Sequence, residues 1–128
     1  MTKQDLIRKL TSRKFWVAVA GFVSGLIVAF EGDAGTAAAE LARRGLRPDV
    51  ICVDPPRKGL APEVIESVVL MRPKRIVYVS CDPATLGRDV KRFDAYGYRA
   101  VRAAAVDLFP RTANIETVCL LEREKKKN

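Results

Sequence analysis

The chain contains no histidine, and this absence excludes several kinds of active site. Without histidine there is no Ser-His-Asp triad, no Cys-His dyad and no histidine ligand for a metal ion. The three cysteines, Cys52, Cys81 and Cys119, are widely separated and form no CxxC pair, so we expect no zinc, iron–sulfur or other metal site. An odd number of separated cysteines also argues against a disulfide framework and predicts a reducing, cytoplasmic setting.

Acidic residues are too few to balance the basic ones, so the 128-residue chain carries a formal net charge of +8. A basic chain of this kind favours a polyanionic partner, either nucleic acid or an anionic membrane surface. A solvated basic face without a partner is the alternative, and charge alone does not separate the two. The composition, 48% hydrophobic and 30% charged, is typical of one folded globular domain.

The first 30 residues differ in character from the rest of the sequence. Basic residues precede an uncharged run at 15–30, which is shorter than the roughly 20 residues of a usual membrane-spanning helix. The Phe15-Trp16 entry fits a membrane interface, and the segment resembles the start of a small phage-holin-like membrane protein. The alternative is a buried helix that continues into a core strand at 26–30. We interpret residues 1–30 as a basic, apolar helical segment, with membrane contact through 15–30 left open.

From residue 31 onward the pattern alternates between helix and strand. Helices are predicted at 34–44, at 62–71 and from Pro83 to about Phe93, and strands at 49–54, 75–80, 98–106 and 115–122. Residues 125–128 form a basic tail. Alternation of this kind predicts an α/β fold with a parallel or mostly parallel sheet. In such sheets ligands bind outside the carboxyl ends of the strands.

Two of the predicted strands end in residues with unusual chemistry, and both ends point to one crevice. Cys81 follows one strand and precedes a helix that Asp82 caps and Pro83 opens. A helix N-terminus stabilises a thiolate, so Cys81 is a candidate nucleophile, the alternative being a small buried side chain. Cys52 and Cys119 lie inside apolar strands, which favours the buried interpretation for both of them.

The other strand ends at Asp54, which is followed by two prolines and then by Arg57 and Lys58. A carboxylate on this stiff turn accepts hydrogen bonds from a heterocycle or an amino group with little loss of entropy, and the two cations suit a phosphate. A structural turn with a capping aspartate is the alternative. Glu116 stands at or near the start of the last apolar strand, as an edge residue facing water or as a functional carboxylate.

Three stretches together resemble the RNA uracil-5-methyltransferase family, which methylates carbon 5 of uridine with S-adenosylmethionine. They are residues 54–59 (DPPRKG), residues 80–89 (SCDPATLGRD), and residues 107–118, where DLFPRT is followed by ETV. The resemblance covers residues 31–124 and implies the C-terminal part of a catalytic domain. The bacterial branch that acts on 23S ribosomal RNA is the closer likeness.

The resemblance implies a role for each candidate residue. Cys81 would add to carbon 6 of uracil, and Glu116 would remove the carbon 5 proton after methyl transfer. Asp54 would lie between the cofactor and the target base, and Asp33 would contact the adenosine end of S-adenosylmethionine. Arg57 and the basic surface around it would engage the RNA backbone.

The sequence also departs from the family pattern. Asp82 and Gly87 stand where many members have Asn and Ala, and Asn114 stands where His is frequent. The glycine-rich cofactor loop, the first two strands of the sheet and the N-terminal RNA-binding region have no counterpart. Only residues 26–30 imitate the strand that normally precedes the adenosine-contacting aspartate.

We therefore expect a partial Rossmann-like sheet of class I methyltransferase type, made of C-terminal strands with flanking helices and preceded by an apolar N-terminal helix. The expected function is RNA (uracil-5-)-methyltransferase chemistry, with binding of S-adenosylmethionine impaired because half of its binding wall is missing. The alternatives are a non-catalytic RNA-binding remnant and a small holin-like membrane protein fused to a methyltransferase fragment.

Overall fold

The computed structural model describes residues 26–32, 34–106 and 116–125. These residues form five strands and three helices. In chain order the elements are β1 (Ile27–Glu31), α1 (Gly35–Arg43), β2 (Val50–Asp54), α2 (Pro62–Leu70), β3 (Arg75–Ser80), α3 (Pro83–Ala95), β4 (Tyr98–Val106) and β5 (Glu116–Arg123). The strands and helices from residue 34 onward lie within two residues of their predicted positions.

The five strands form one mixed sheet in the order β1-β2-β3-β5-β4. Strands β1, β2 and β3 are parallel, because α1 and α2 carry the chain back between them. Strand β5 runs antiparallel to both of its neighbours, β3 and β4. The expected α/β sheet with flanking helices is confirmed, and the antiparallel insertion of β5 is the feature that the alternating pattern did not predict.

The core lies between the sheet and the three helices, all of which pack on one face. Alternate strand residues such as Ile51, Tyr78 and Leu121 are fully buried against helix residues such as Val68 and Phe93. A second cluster occupies the opposite face of the sheet, where Val50, Cys52 and Val77 are buried, with Val118 and Leu120 packed against them. Strands β2 and β3 are therefore apolar on both faces, as their continuous hydrophobic runs predict.

The end of the uncharged run at 15–30 forms a strand. Ile27–Glu31 pairs with β2 in the register Ile27↔Val50 to Glu31↔Asp54, so the helical interpretation of residues 1–30 does not extend to these positions. The parallel ladder accounts for this, because it satisfies the backbone polar groups of an apolar segment that lies on a core. Residues 1–25, including most of the proposed membrane-contacting run, lie outside the described residues. Within the described part of the chain, no helix has the length and apolar character needed to span a membrane.

Candidate active site at the carboxyl ends of the strands

The topology brings three of the predicted site residues to one edge of the sheet. Strand β2 ends at Asp54, and Cys81 directly follows the end of β3. Strand β5 begins at Glu116, and because β5 is antiparallel its start lies at the edge where the parallel strands end. The last pair of the β3–β5 ladder is Ser80↔Thr117. Cys81 and Glu116 are thus the next residues beyond that pair on the two facing chains.

The segment around Cys81 is held by short-range hydrogen bonds. The Ser80 hydroxyl accepts from the backbone N–H of Asp82 at 3.0 Å and donates to the Asp82 carbonyl at 2.8 Å. The Asp82 carboxylate then caps α3 by accepting from the N–H groups of Ala84 at 2.9 Å and Thr85 at 3.4 Å. The predicted cap is confirmed. Cys81 is therefore held in a fixed turn at the positive end of a helix.

The three thiols differ in exposure. Cys81 is half-buried, whereas Cys52 and Cys119 are buried. Burial raises the pKa of Cys52 to about 11 and raises the pKa of Cys119 above its usual value, so both stay protonated and inert at neutral pH. Cys81 is the least buried of the three thiols, and the buried interpretation of the other two is confirmed.

Replacing Asp82 with alanine should destabilise the fold by about 1 kcal/mol, because α3 then loses the acceptor for its first N–H groups. The urea midpoint measures this loss. Asp82→Asn keeps an acceptor and should stay near the parent value. Asp94→Ala, at the exposed far end of the same helix, is the control. An Asp82→Ala chain as stable as the Asp94→Ala chain would contradict the role of the cap.

Asp54 and Glu116 form a pair of carboxylates at this edge. Both side chains are half-buried. The pKa of Glu116 is raised, first by desolvation and then by the negative charge of Asp54. Because side chains alternate along a strand, Asp54 shares a face of the sheet with Cys52, and Glu116 shares a face with Val118. Cys52 and Val118 both lie on the face opposite the helices, so the two carboxylates lie on that face as well. A carboxylate with a raised pKa is a stronger base than an ordinary one once it is ionised.

Arg57 and Lys58 lie in the turn that follows β2. The N–H of Gly59 donates to the Pro56 carbonyl at 2.9 Å, which closes the turn. Both cationic side chains are exposed. The Thr85 hydroxyl donates to the Arg57 carbonyl at 2.9 Å, so the turn lies against the helix that follows Cys81. The two cations therefore flank the same edge of the sheet as the carboxylates.

The sequence predicted one further site residue, Asp33. Asp33 lies outside the described residues, so its proposed contact with the cofactor stays a prediction.

Asp89, which sequence reasoning did not single out, is fully buried and accepts a 2.6 Å hydrogen bond from the Tyr78 hydroxyl. Burial and this bond raise the pKa of Tyr78 far above its usual value. The signal was the helical spacing of Leu86, Asp89 and Phe93, which puts an aspartate on the buried face.

Comparison with known proteins agrees with the fold. Residues 40–124 match the sequence profile of the tRNA (uracil-5-)-methyltransferase family. An uncharacterized RNA methyltransferase of Streptococcus mutans serotype c is 51% identical over 89 residues, which are 70% of this chain and 20% of that protein. An uncharacterized RNA methyltransferase of Streptococcus pyogenes serotype M3 is 46% identical over 107 residues, 84% of this chain and 23% of that protein.

A solved structure extends the likeness to three dimensions. The Pyrococcus abyssi tRNA (uracil-54, C5)-methyltransferase, crystallised with S-adenosyl-L-homocysteine, superposes with a TM-score of 0.61 at 28% identity. The match covers 91% of this chain and 37% of that one. The fold is thus that of a Rossmann-like methyltransferase. The chain belongs to the tRNA (uracil-5-)-methyltransferase family, and it spans about a fifth of the length of the curated relatives it matches.

The described sheet does not by itself form a complete cleft for S-adenosylmethionine. Open α/β sheets bind such ligands where the strand order reverses. Among the described residues, the parallel strands run β1-β2-β3 without a reversal, and all three helices pack on one face. Asp54 places a carboxylate at the edge where the parallel strands end. In the same residues, no group of three potential ligands is arranged to hold a metal ion.

Proposed function

We propose that this chain carries the uracil-activating part of an RNA (uracil-5-)-methyltransferase, with Cys81 as nucleophile and Glu116 as base. The observation that carries the proposal is the β3–β5 register, in which Ser80↔Thr117 is the last pair and Cys81 and Glu116 come next. A nucleophile and a base on facing chains suit one flat ring placed between them. S-adenosylmethionine, when bound, supplies the electrophilic methyl group.

The steps assigned to this chain involve the uracil ring. The Cys81 thiolate forms a bond to carbon 6, and the π electrons of the carbon 5–carbon 6 bond move towards the carbonyl at carbon 4. The resulting enolate makes carbon 5 nucleophilic, so that it accepts an electrophile. Glu116 then takes the proton from carbon 5, the double bond re-forms, and the carbon 6–sulfur bond breaks to release the thiolate. In this scheme Asp54 lies between the cofactor and the target base, and the raised pKa of Glu116 suits proton removal.

The basic turn supports an RNA substrate. Arg57 and Lys58 are exposed beside the proposed site, and the chain carries a net charge of +8. Positive charge of this kind binds phosphates and carries no information about the base, so other contacts must select the target base. The target uridine must leave its stack to reach Cys81. The motif likeness favours 23S ribosomal RNA, whereas the solved relative is a tRNA methyltransferase, so transcripts of both kinds belong in the assay.

Hydrogen exchange at carbon 5 of uridine tests the proposal without requiring the methyl donor. In the enolate, carbon 5 takes a deuteron from heavy water, and Glu116 then removes the original proton. The full chain, incubated with RNA in heavy water, should therefore place deuterium at carbon 5 of the target uridine. Mass spectrometry of the digested nucleosides detects the gain. RNA that binds but gains no deuterium would refute uracil activation and favour the non-catalytic RNA-binding alternative.

The same chain should bind S-adenosylmethionine weakly, with a Kd above about 0.1 mM. The reason is that the described sheet has no point of strand reversal and offers the cofactor one wall. Isothermal titration calorimetry measures the affinity, with the Pyrococcus abyssi methyltransferase that was crystallised with S-adenosyl-L-homocysteine as the positive control. Micromolar binding by this chain would contradict the expectation and show that other residues of the chain supply the second wall.

A further inference from the structure

Helix α3 holds the turn after β2 through contacts to the backbone of that turn. The Thr85 hydroxyl donates to the carbonyl of Arg57 at 2.9 Å. Arg88 Nη2 donates to the carbonyl of Lys58 at 2.6 Å. These contacts tie the backbone of the turn to the helix, while the side chain of Lys58 is exposed.

A buried carboxylate completes this arrangement. Asp89 is 0% exposed, and its Oδ2 accepts from the backbone N–H of Leu60 at 2.8 Å and from the Tyr78 hydroxyl at 2.6 Å. Its Oδ1 lies 3.2 Å from Arg88 Nε and 3.7 Å from Arg92 Nη1. A buried charge whose two oxygens are both engaged has little freedom to move. Asp89 thus links the turn to the core beneath it.

Gly59 shows how closely the turn and the helix approach. Its φ is +78°, a left-handed conformation that favours glycine. A Cβ atom at this position would lie 2.6 Å from Arg88 Nη2 and 2.6 Å from Asp89 Oδ2. The turn therefore packs on these side chains with no room for a side chain of its own.

We propose that Thr85, Arg88 and Asp89, together termed the latch, are positioning residues for RNA binding. The latch holds the backbone of the turn so that Arg57 and Lys58 present their charges at fixed points beside the segment that carries Cys81. This role rests on the RNA-directed function proposed above. A cation on an ordered backbone loses less conformational entropy when it meets a phosphate, so fixing the turn strengthens each contact. A latch that served stability alone would leave the RNA contacts of the turn unchanged.

The test uses variants at the exposed end of the latch, since removing the buried Asp89 endangers folding. Thr85→Val and Arg88→Met together free the carbonyls of the turn, and Asp89 keeps its contacts to Leu60, Tyr78 and Arg92. Binding of a fluorescein-labelled 23S ribosomal RNA fragment is followed by anisotropy at constant salt. In the parent chain, Lys58→Ala should lower the affinity about fivefold, and in the double variant its further effect should be less than about twofold.

Lys91→Met is the matched control, because it removes one positive charge from an exposed position of the same helix. In the chain that carries both Lys91→Met and Lys58→Ala, the two losses of RNA affinity should multiply. If Lys58→Ala lowers the RNA affinity by the same factor in the latch variant as in the parent, the positioning role is overturned and the RNA-directed function stands. A parent chain that binds no RNA would overturn both. A reduced effect of Lys58→Ala in the latch variant, with multiplying effects in the Lys91→Met variant, is the result that supports positioning.

Discussion

A Cys81→Ala chain should place no deuterium at carbon 5 of uridine above background, a loss of at least about a thousandfold relative to the parent. The reason is that the hydrogen at carbon 5 is not acidic until a nucleophile has added to carbon 6, and alanine offers no such nucleophile. Cys81→Ser should lose nearly as much, since a serine hydroxyl is far less ionised than a thiol at neutral pH. Mass spectrometry of the digested nucleosides measures both.

Cys52→Ala is the control for the loss of a thiol elsewhere in the chain. Cys52 is buried with a raised pKa of about 11, so its removal should leave exchange at the parent level per folded molecule. Maleimide labelling of the native chain should accordingly modify Cys81 first, because the other two thiols are buried. Deuterium incorporation that persists in the Cys81→Ala chain would remove this residue from the mechanism.

Replacement of the proposed base should give the second large effect. Glu116→Gln should slow exchange by about a hundredfold or more, because removal of the carbon 5 proton then has no general base. In the parent, the base acts when ionised, so the exchange rate should fall as the pH drops through the pKa of Glu116. That pKa is raised above its ordinary value of 4.5, first by desolvation and then by Asp54. The acidic limb of the pH profile should therefore lie above pH 4.5.

Asp54→Asn separates the two causes of the raised pKa. The substitution removes the negative charge of Asp54 and leaves the desolvation of Glu116, so the acidic limb should move to lower pH without reaching the ordinary value. A limb that stays in place would show that it belongs to another group. A limb that moves to higher pH would contradict the proposed pairing of the two carboxylates.

Stability measurements distinguish loss of the base from loss of the fold. A carboxyl group with a raised pKa binds its proton more tightly in the folded chain than in the unfolded one. Its contribution to stability is therefore complete below pH 4.5 and is lost as the pH rises through the raised pKa of Glu116. At neutral pH the ionised side chain opposes folding, so Glu116→Gln should be at least as stable as the parent while exchange is slow. A destabilised Glu116→Gln chain would point to a structural role.

Local signals in the sequence determined most of the elements. The apolar runs that end in Asp54 and in Ser80 are continuous, and both strands are buried on two faces. The Asp82-Pro83 pair predicted the start of α3, and the structure shows the carboxylate accepting from the first N–H groups of that helix. These features depend on residues close in sequence, so they can be predicted without knowledge of the fold. The resemblance supplied the roles of Cys81 and Glu116, which remain predictions.

The sequence by itself thus determined an α/β chain of the uracil-5-methyltransferase family, with a cysteine at a helix start and a carboxylate at the start of its last strand. Only the tertiary structure decided that β5 inserts antiparallel between β3 and β4, which brings Glu116 to the edge where Cys81 lies. It alone revealed that Asp89 ties α3 to the turn after β2. Strand order and buried polar contacts join residues far apart in the chain, and their energies depend on packing that no local pattern records.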